Sequence, residues 1–522
     1  MATVELEVIE SGEADEGSEA LGDPGSVRPK PRLKFINRQQ LVLRQMDVER
    51  LVEPDHPVRA IWELVGRMNL EPFYQGIEAV EGVAGRDPFD PQLLISLWIY
   101  AYSQKVSSAR EMARRCQYDP AYPWLTGLEA LNYHTLSDFR VQHQEALNQL
   151  FIQVLGVLSQ AGWITLQRVM QDGTKIKAQA GDNTFRRQAT LERHLQAARQ
   201  RVREMEESGG EEVSRRVARA RERACREKQQ RVEAALQQLA QIQAAKSSPS
   251  EKAAARASLT DPEARIMVQA KNGFAPNYNV QLSTDAQAGL IVGVGVSQAA
   301  NDEAELEPAV QRIKATLGQV PQQMVVDEGF IHQSSVVAMD RQQIDLIGPV
   351  PDRSAQSEAG LKHRGVGPEF FPSAFVYDAA GDWYRCPAGN TLAYEGREQK
   401  GQTTRYRYRA RPSDCRLCPL KSPCCPDSRK GRSLVRSQDA PAVAAFKAKM
   451  QTPEAQAIYK QRAGIAEFPN AWIKEKIGLR QFRLRGLAKV TLEALWACLT
   501  YNIQHWIRLV WRPQRLSPAP VL

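Results

Sequence analysis

At 522 residues the chain is long enough for roughly two to four domains, and its 43% hydrophobic and 25% charged residues are typical of a globular protein. The sequence has no long uninterrupted apolar run and an acidic N-terminus, so it predicts neither a membrane span nor a signal peptide. The eight cysteines are scattered or grouped late in the chain, which does not indicate a secretory disulfide framework and favours a cytoplasmic protein.

The net charge of +9 is distributed unevenly along the chain. Residues 1–24 contain eight acidic residues and no Lys or Arg, so removing them leaves +17 on the remainder. This acidic, aromatic-free composition predicts a disordered tail over residues 1–30. The basic remainder favours a polyanionic partner, with nucleic acid as the first candidate.

Residues 31–162 are predicted to form a helical domain, because apolar residues recur there at intervals of three and four. Ser107 or Ser108 is expected to cap one short basic helix, and a second short helix covers His134 and Arg140. Two such helices are compatible with a helix-turn-helix that binds DNA. The pattern alone favours the alternative, a helical bundle packed on the next domain, because periodicity cannot identify a groove.

The first strand of the next region is predicted over residues 164–178. Its alternation places Asp172 on the same face as Met170 and Ile176, where an unpaired carboxylate is costly. Asp172 is therefore a candidate site residue. The alternative is a turn at Asp172 and Gly173, because Asp-Gly is a common turn pair.

A second buried strand is predicted where the apolar residues 324–326 precede Asp327 and Gly329. Open α/β sheets place their sites at the ends of buried strands. One such acid is a weak signal, but two of them indicate a metal site shared by Asp172 and Asp327.

Residues 163–350 otherwise alternate predicted strands and helices, which indicates an α/β mixed sheet with helical cover. Residues 186–257 are an insertion rich in Arg, Glu, Gln and Ala, with narrow apolar stripes broken at residues 208–210. This pattern predicts a long antiparallel helical hairpin. Its charges are interpreted as a solvated face, and the alternative is a role in DNA contact or dimerisation.

Residues 351–440 form a second insertion, rich in Arg, Pro and Gly. It contains Cys386, Cys415, Cys418 and Cys424, with Cys425 as a substitute for the last of them. The C-x28-C-x2-C-x5-C spacing and the Cys-Pro-x-Gly turn at Cys386 suit a tetrahedral structural Zn²⁺. The alternative is a set of reduced thiols in a loop, because only one C-x2-C pair is present.

Residues 441–511 are predicted to be helical again, and residues 512–522 are predicted to be a disordered tail. This region begins with a segment that contains Tyr459, Arg462, Glu467 and Lys474. An apolar helix from residue 490 ends it, and between the two lies a basic patch formed by Arg480, Arg483, Arg485 and Lys489.

Several of these segments, taken in order, give the chain a likeness to a known family. It resembles bacterial insertion-sequence transposases of the DDE type, from the group whose last acidic residue sits in a Tyr-Arg-Glu-Lys motif. The resemblance covers roughly residues 38–505. The segments that carry it are FDPQLLISLWIYAYSQKVSSAREMARRC (89–116), NYHTLSDFR (132–140), QDGTKIKA (171–178), TDPEAR (260–265), YNVQLSTDA (278–286), NDEAELEP (301–308), VVDEGF (325–330) and YKQRAGIAEFPNAWIK (459–474).

The resemblance implies a ribonuclease-H-like catalytic domain and an N-terminal helical domain that recognises the ends of the element. By position, Asp172, Asp327 and Glu467 match the three catalytic acids of the family. Four residues separate Arg462 from Glu467, where the commonest form of the motif has three.

Three clustered carboxylates repel one another unless cations bind, and oxygen ligands suit Mg²⁺ or Mn²⁺. Two such ions, about 3.5–4 Å apart, support in-line attack on phosphorus. The resemblance also implies double-stranded DNA as partner, both the terminal inverted repeats and the target, and a homo-oligomer assembled on DNA. The expected DNA contacts are Tyr459, Arg462, Lys474, His134 and Arg140.

Two other functions use the same features. A transposase-derived repressor would bind DNA without strand transfer, and the three acids disfavour it. A metal-dependent nuclease would use the same acids, and terminal inverted repeats beside the gene would distinguish it from a transposase.

Overall fold

The computed structural model describes residues 45–75, 77, 87–207, 215–269, 273–351, 354–401, 403–426 and 428–516. The predicted acidic tail, residues 1–30, and the predicted break at residues 208–210 of the hairpin lie outside them. Among the described residues, no helix combines the length and the apolar character that a membrane crossing requires.

The N-terminal region is helical, as expected. Side-chain caps explain where several helices begin: Asp90 accepts from Gln92 N at 2.7 Å, and Ser108 accepts from Glu111 N. Ser108 was one of the two caps expected from the sequence. The helices are α1 (Pro57–Gly66), α2 (Glu71–Tyr74), α3 (Pro91–Ser103), α4 (Ala109–Arg115), α5 (Ala121–Thr126), α6 (Tyr133–Gln142) and α7 (Gln144–Gln160).

A mixed sheet follows in the chain. Its strand order is β4-β5-β1-β7-β8, and β6 also pairs with β5. Strand β1 is antiparallel to β5 and parallel to β7, which is parallel to β8. The strands of this region are β1 (Arg168–Lys177), β2 (Phe185–Arg186), β3 (Ala257–Ser258), β4 (Arg265–Gln269), β5 (Gly273–Asp285), β6 (Leu290–Ser297), β7 (Gln323–Val325) and β8 (Asp345–Ile347).

Strand β1 runs straight through Asp172 and Gly173, which pair with Leu282 and Gln281 of β5. The turn considered for Asp172 and Gly173 is therefore wrong. The reason is the long antiparallel partner β5, whose ladder holds both residues in extended conformation.

Helices cover this sheet and extend from it. The helices α8 (Gln188–Glu207) and α9 (Arg215–Ala244) pack along each other, and the β2–β3 ladder joins the chain at their base. Leu191, Ala235 and Leu239 are buried between them. The other helices here are α10 (Pro249–Ala254), α11 (Leu306–Leu317) and α12 (Gln333–Arg341).

The cysteine-containing insertion holds an antiparallel sheet with the order β13-β12-β11-β10-β9. The sequence interpretation had not foreseen these strands. The alternation of Arg and Tyr over residues 405–409 is the signal that predicts one of them. The elements are α13 (Ser354–His363), β9 (Val376–Asp378), β10 (Trp383–Arg385), β11 (Thr391–Lys400), β12 (Thr403–Ala410), α14 (Pro412–Arg416), α15 (Lys421–Cys424) and β13 (Ser433–Asp439).

The C-terminal helices connect the N-terminal helices to the first sheet. Helix α19, which covers Leu487–Trp506, is buried almost throughout and packs against α3, α7 and β6. Residues on both sides of the expected boundary at 162 therefore share one core. The expected C-terminal tail, residues 512–522, begins with a helix. The elements are α16 (Pro441–Lys449), α17 (Pro453–Lys460), α18 (Arg462–Glu475), α19 (Leu487–Trp506) and α20 (Arg512–Leu516), with a π-helical turn at Ile507–Trp511.

Candidate active site

The register of β1 and β7 brings the first two predicted acids together. Parallel pairing joins Met170 to Val325, and Asp172 and Asp327 each follow two residues later. The strand residues before both acids are buried, so the backbone that carries them is fixed in the core. Asp172 is the more enclosed acid, with 16% of its side chain exposed against 38% for Asp327.

Helix α18 closes this pair of acids from one side. Its Arg462 places Nη2 2.7 Å from Asp172 Oδ1 and 3.8 Å from Asp327 Oδ2. Two turns later, Asn470 Nδ2 donates to Asp172 Oδ2 at 2.7 Å. Both oxygens of Asp172 are thus held by one face of one helix. Arg462 had been expected to contact DNA, but its buried guanidinium instead bridges the two carboxylates.

The enclosure of the site shifts the ionisation of its groups. Burial raises the pKa of Asp172 to about 6, an effect that Arg462 opposes and the negative charge of Asp327 reinforces. Burial also raises the pKa of Asp327, again against the effect of Arg462. Burial lowers the pKa of Lys474, and the nearby Asp172 partly offsets this.

Lys474 Nζ also donates to Thr174 Oγ1 on β1. This residue, which the sequence predicts as a DNA contact, therefore lies beside the acids.

A pH-dependent stability follows for the protein in a metal chelator. Because its pKa is higher in the folded state, Asp172 binds more protons folded than unfolded between about pH 4 and pH 6. The free-energy cost of burying its negative charge is therefore fully present above about pH 6 and decreases as the pH falls. We expect Asp172→Asn, which imitates the neutral form, to be more stable than wild type at pH 7.5 by up to about 3 kcal/mol. Urea unfolding should show this difference shrinking towards pH 5, and a difference that is constant with pH would contradict it.

The third predicted acid, Glu467, is not in contact with the other two. Its side chain is exposed on α18, and among the described residues it makes no hydrogen bond or ion pair. Helix α18 begins at Arg462 and includes Pro469, so Glu467 lies within the helix. The role of Glu467 stays a prediction.

The structure adds an acid that the sequence interpretation had not named. Asp302 lies in the segment between β6 and α11, and its charge acts on both Asp172 and Asp327. The only sequence signal was its position in the segment NDEAELEP, which carries part of the family resemblance. No strand alternation or helical period marks Asp302, because it lies in a loop.

The donor chemistry of this site fits a hard divalent cation. Oxygen ligands come from Asp172 and Asp327, and the amide of Asn470, which contacts Asp172, has a buried Oδ1 with no hydrogen-bond partner among the residues that the structure describes. As the side chains stand, no three His, Cys, Asp or Glu residues of the described ranges are placed to hold a metal ion together. Because Arg462 lies between the two carboxylates, a cation would require its guanidinium to move aside.

The other predicted DNA contacts lie apart from this site. His134 is exposed on α6. Arg140 is buried, donates to Ser107 O at 2.8 Å and packs over the ring of Trp98. A buried guanidinium with these partners supports the helical core, so we do not assign Arg140 to a DNA surface. Tyr459 is half-buried at the edge of the main core.

The predicted cysteine ligands come together in the second insertion. One small cavity is lined by all five, Cys386, Cys415, Cys418, Cys424 and Cys425, and each is a free thiol. The Asn390 N–H donates to Cys386 Sγ at 3.3 Å, and the Arg432 N–H donates to Cys415 Sγ at 3.4 Å. Burial raises the pKa of Cys424 to about 12 and also raises the pKa of Cys425, so both of these thiols hold their protons more tightly than a free cysteine does.

Zinc at this cluster stays a prediction, because the thiols line one cavity without converging on a point. We expect about one equivalent of zinc in full-length protein purified without chelator, since a structural site uses four ligands. Replacing Cys415 and Cys418 by Ser should release the metal, whereas Cys225→Ser in α9 should not. Elemental analysis that finds no zinc in the wild-type protein would rule the site out.

Comparison with known proteins gave two family matches. A family model described as "Transposase DDE domain" matches residues 385–507, and one described as "Transposase domain (DUF772)" matches residues 46–142. Such matches are typical of bacterial insertion-sequence transposases, so the family resemblance seen in the sequence is confirmed. The first match contains Arg462, Glu467 and Asn470, and neither match includes Asp172 or Asp327.

A solved structure is also similar to this chain, the cryo-EM structure of the piggyBac transposase synaptic complex with hairpin DNA. The identity is 9%, covering 88% of this chain and 73% of that chain, with a TM-score of 0.28. A likeness this low supports no argument about the fold. Comparison with curated proteins gave no match.

Proposed function

We propose that this protein is a DNA transposase that binds the terminal inverted repeats of its insertion sequence and catalyses metal-dependent strand cleavage and strand transfer. The observation that carries the proposal is the meeting of Asp172 and Asp327 on adjacent parallel strands under Arg462 and Asn470 of α18. Helix α18 lies within the range that matches a transposase DDE domain. A mixed sheet with one acid on its central strand β1 and another just after the adjacent parallel strand β7 supports the ribonuclease-H-like interpretation.

The residues of the site have separate tasks in this proposal. Asp172 and Asp327 would hold Mg²⁺ or Mn²⁺, which when bound stabilises charge on the phosphate undergoing attack. Asn470 fixes one oxygen of Asp172, so that the carboxylate keeps its orientation. Arg462 neutralises the pair of acids and, once displaced by the cation, would be available to bind a DNA phosphate. Hydrolysis at the element end would leave a 3′-hydroxyl, whose attack on a target phosphodiester would form a new P–O bond while the target P–O bond breaks and releases a 3′-hydroxyl of the target strand.

Glu467 is proposed as the third acid. It lies one turn before Asn470 and two turns before Lys474, and both of these residues reach β1. An exposed carboxylate at this position is free to turn towards the cation when DNA and metal assemble. No other residue of α18 between Arg462 and Lys474 is acidic.

DNA binding is proposed to use the exposed basic patch that follows α18. Replacing Arg483, Arg485 and Lys489 together by Gln should weaken binding of full-length protein to its terminal-repeat duplex. It should also lower the slope of log affinity against log salt by up to about three, because each lost phosphate contact removes about one. Fluorescence anisotropy over a range of salt concentrations measures this slope.

The matched control for the basic patch replaces three exposed arginines of the helical hairpin, Arg201, Arg203 and Arg223, by Gln. This variant should keep the wild-type slope. If the hairpin variant lowers the slope and the patch variant does not, DNA lies on the hairpin instead. If wild-type protein prefers its own ends no more than random DNA, end recognition is wrong.

A further inference from the structure

Asp302 is held in place by two amide donors. Its Oδ1 accepts from Asn279 Nδ2 at 2.8 Å and from Gln281 Nε2 at 2.5 Å. Both donors belong to β5, the strand next to the one that carries Asp172. Because both amides bind the same oxygen, they fix the carboxylate orientation and leave Oδ2 available.

A buried chain of hydrogen bonds runs from Asp302 into the sheet. Gln281 donates to Asp302, Gln171 Nε2 donates to Gln281 Oε1 at 2.7 Å, and Ser283 Oγ donates to Gln171 Oε1 at 2.6 Å. Gln171, Gln281 and Ser283 are almost completely buried. A carboxylate accepts only, whereas a serine hydroxyl can donate or accept, so Asp302 sets the direction of the chain and the N–H end of Gln281 faces it.

Gly173 and Gly329 have no side chains, and this leaves room for Asp302 beside Asp172 and Asp327. A Cβ at Gly173, the neighbour of Asp172, would lie 2.7 Å from Gln281 Nε2 and would collide with Asp302 Oδ1. A Cβ at Gly329 would lie 3.2 Å from Asp327 Oδ1 and 3.8 Å from Asp302 Oδ2. The free oxygen of Asp302 and an oxygen of Asp327 therefore border the same small space.

A separate feature beside Asp172 indicates that the acids receive a ligand. Asn470 is 7% exposed, and within the described part of the chain its Oδ1 has no hydrogen-bond partner although its Nδ2 binds Asp172. A buried amide oxygen without a donor is costly, and a cation beside it would remove the cost. Oxygen atoms from carboxylates and an amide are the ligands that Mg²⁺ and Mn²⁺ take.

We propose that Asp302 is a further carboxylate ligand of the divalent cation, in addition to Asp172 and Asp327. The assignment rests on the proposed function and extends its set of acids. It accounts for the glycines beside Asp172 and Asp327 and for the two amides that hold Asp302 by one oxygen. If Asp302 served only to accept hydrogen bonds from the two amides, Oδ1 alone would be enough. Oδ2 would then have no role.

The variant Asp302→Asn separates these two roles. Its amide oxygen can still accept from Asn279 and Gln281, but an NH₂ group replaces the free oxygen and repels a cation. Mn²⁺ binding to full-length protein, measured by titration calorimetry and by the electron paramagnetic resonance signal of free Mn²⁺, is the readout. We expect Asp302→Asn to bind Mn²⁺ at least about 10-fold more weakly, with an unchanged melting temperature in chelator.

Two further variants make the result decisive. Glu303→Gln, the exposed neighbour that contacts His332, should bind Mn²⁺ as wild type does. Asp172→Asn should lose binding. If Asp172→Asn loses Mn²⁺ binding while Asp302→Asn keeps wild-type affinity, Asp302 is structural and only this assignment fails. If Asp172→Asn also binds normally, the cation lies elsewhere, and both the proposed function and this assignment fail.

Discussion

Replacing Asp172 by Asn is expected to lower the rate of DNA-end cleavage by about 10³-fold or more, because a carboxylate ligand of a catalytic cation contributes several kcal/mol. Asp327→Asn should have an effect of the same order. The two acids face each other across β1 and β7 under one guanidinium, so neither can replace the other. Single-turnover cleavage of a labelled terminal-repeat duplex in Mg²⁺ measures the rate.

The control for this prediction is Asp340→Asn, an exposed acid on α12 that follows the Asp327 strand. It should cleave at the wild-type rate. Both site variants should remain folded and bind end DNA, since Asn fills the same volume and can keep polar contacts. Cleavage by Asp172→Asn within a few-fold of wild type would show that the acids on these strands do not carry the chemistry.

Glu467→Gln is expected to abolish Mg²⁺-dependent cleavage while folding and end binding stay nearly intact. The alternative role for Glu467 is an interaction with the helix dipole, which for a first-turn Glu is worth about 0.3–1 kcal/mol. Because α18 begins at Arg462, Glu467 lies beyond the first turn, where the stabilisation by the helix dipole is smaller still. A loss of cleavage without loss of stability therefore identifies a ligand.

Glu454→Gln and Glu475→Gln are the matched controls for Glu467. Glu454 lies in the first turn of α17, and Glu475 pairs with Arg480 at the end of α18. Both variants should cut normally. If Glu467→Gln cuts at a near wild-type rate, the third acid is another residue, and Asp302 becomes the first alternative.

The pairing of Asp172 with Asp327 could be predicted because it depends on short-range sequence patterns. Asp172 lies within a strand and Asp327 follows one, and because these two strands are parallel neighbours their acids come to the same part of the sheet. The cysteines were also recognised from spacing, and the fold gathers all five around one cavity.

The binding partners of the long cationic side chains could not be predicted in the same way. Arg140 and Arg462 look like surface charges in sequence, but one supports the helical core and the other bridges the acids. A guanidinium on a long flexible stem takes the partner that tertiary packing provides. Asp302 was missed for a related reason, since amides of β5 hold a loop residue that has no periodic context.

The most direct test of the central claim is incubation of full-length protein with its own flanking DNA, a target plasmid and Mg²⁺, with cleaved and joined products separated on a gel. We predict a nick that leaves a 3′-hydroxyl at the element end, followed by joining of that end to the target. Both products should be absent with chelator and with Asp172→Asn or Asp327→Asn. Cleavage and joining that persist in either Asp variant, or wild-type protein that binds its ends and forms neither product, would contradict the account.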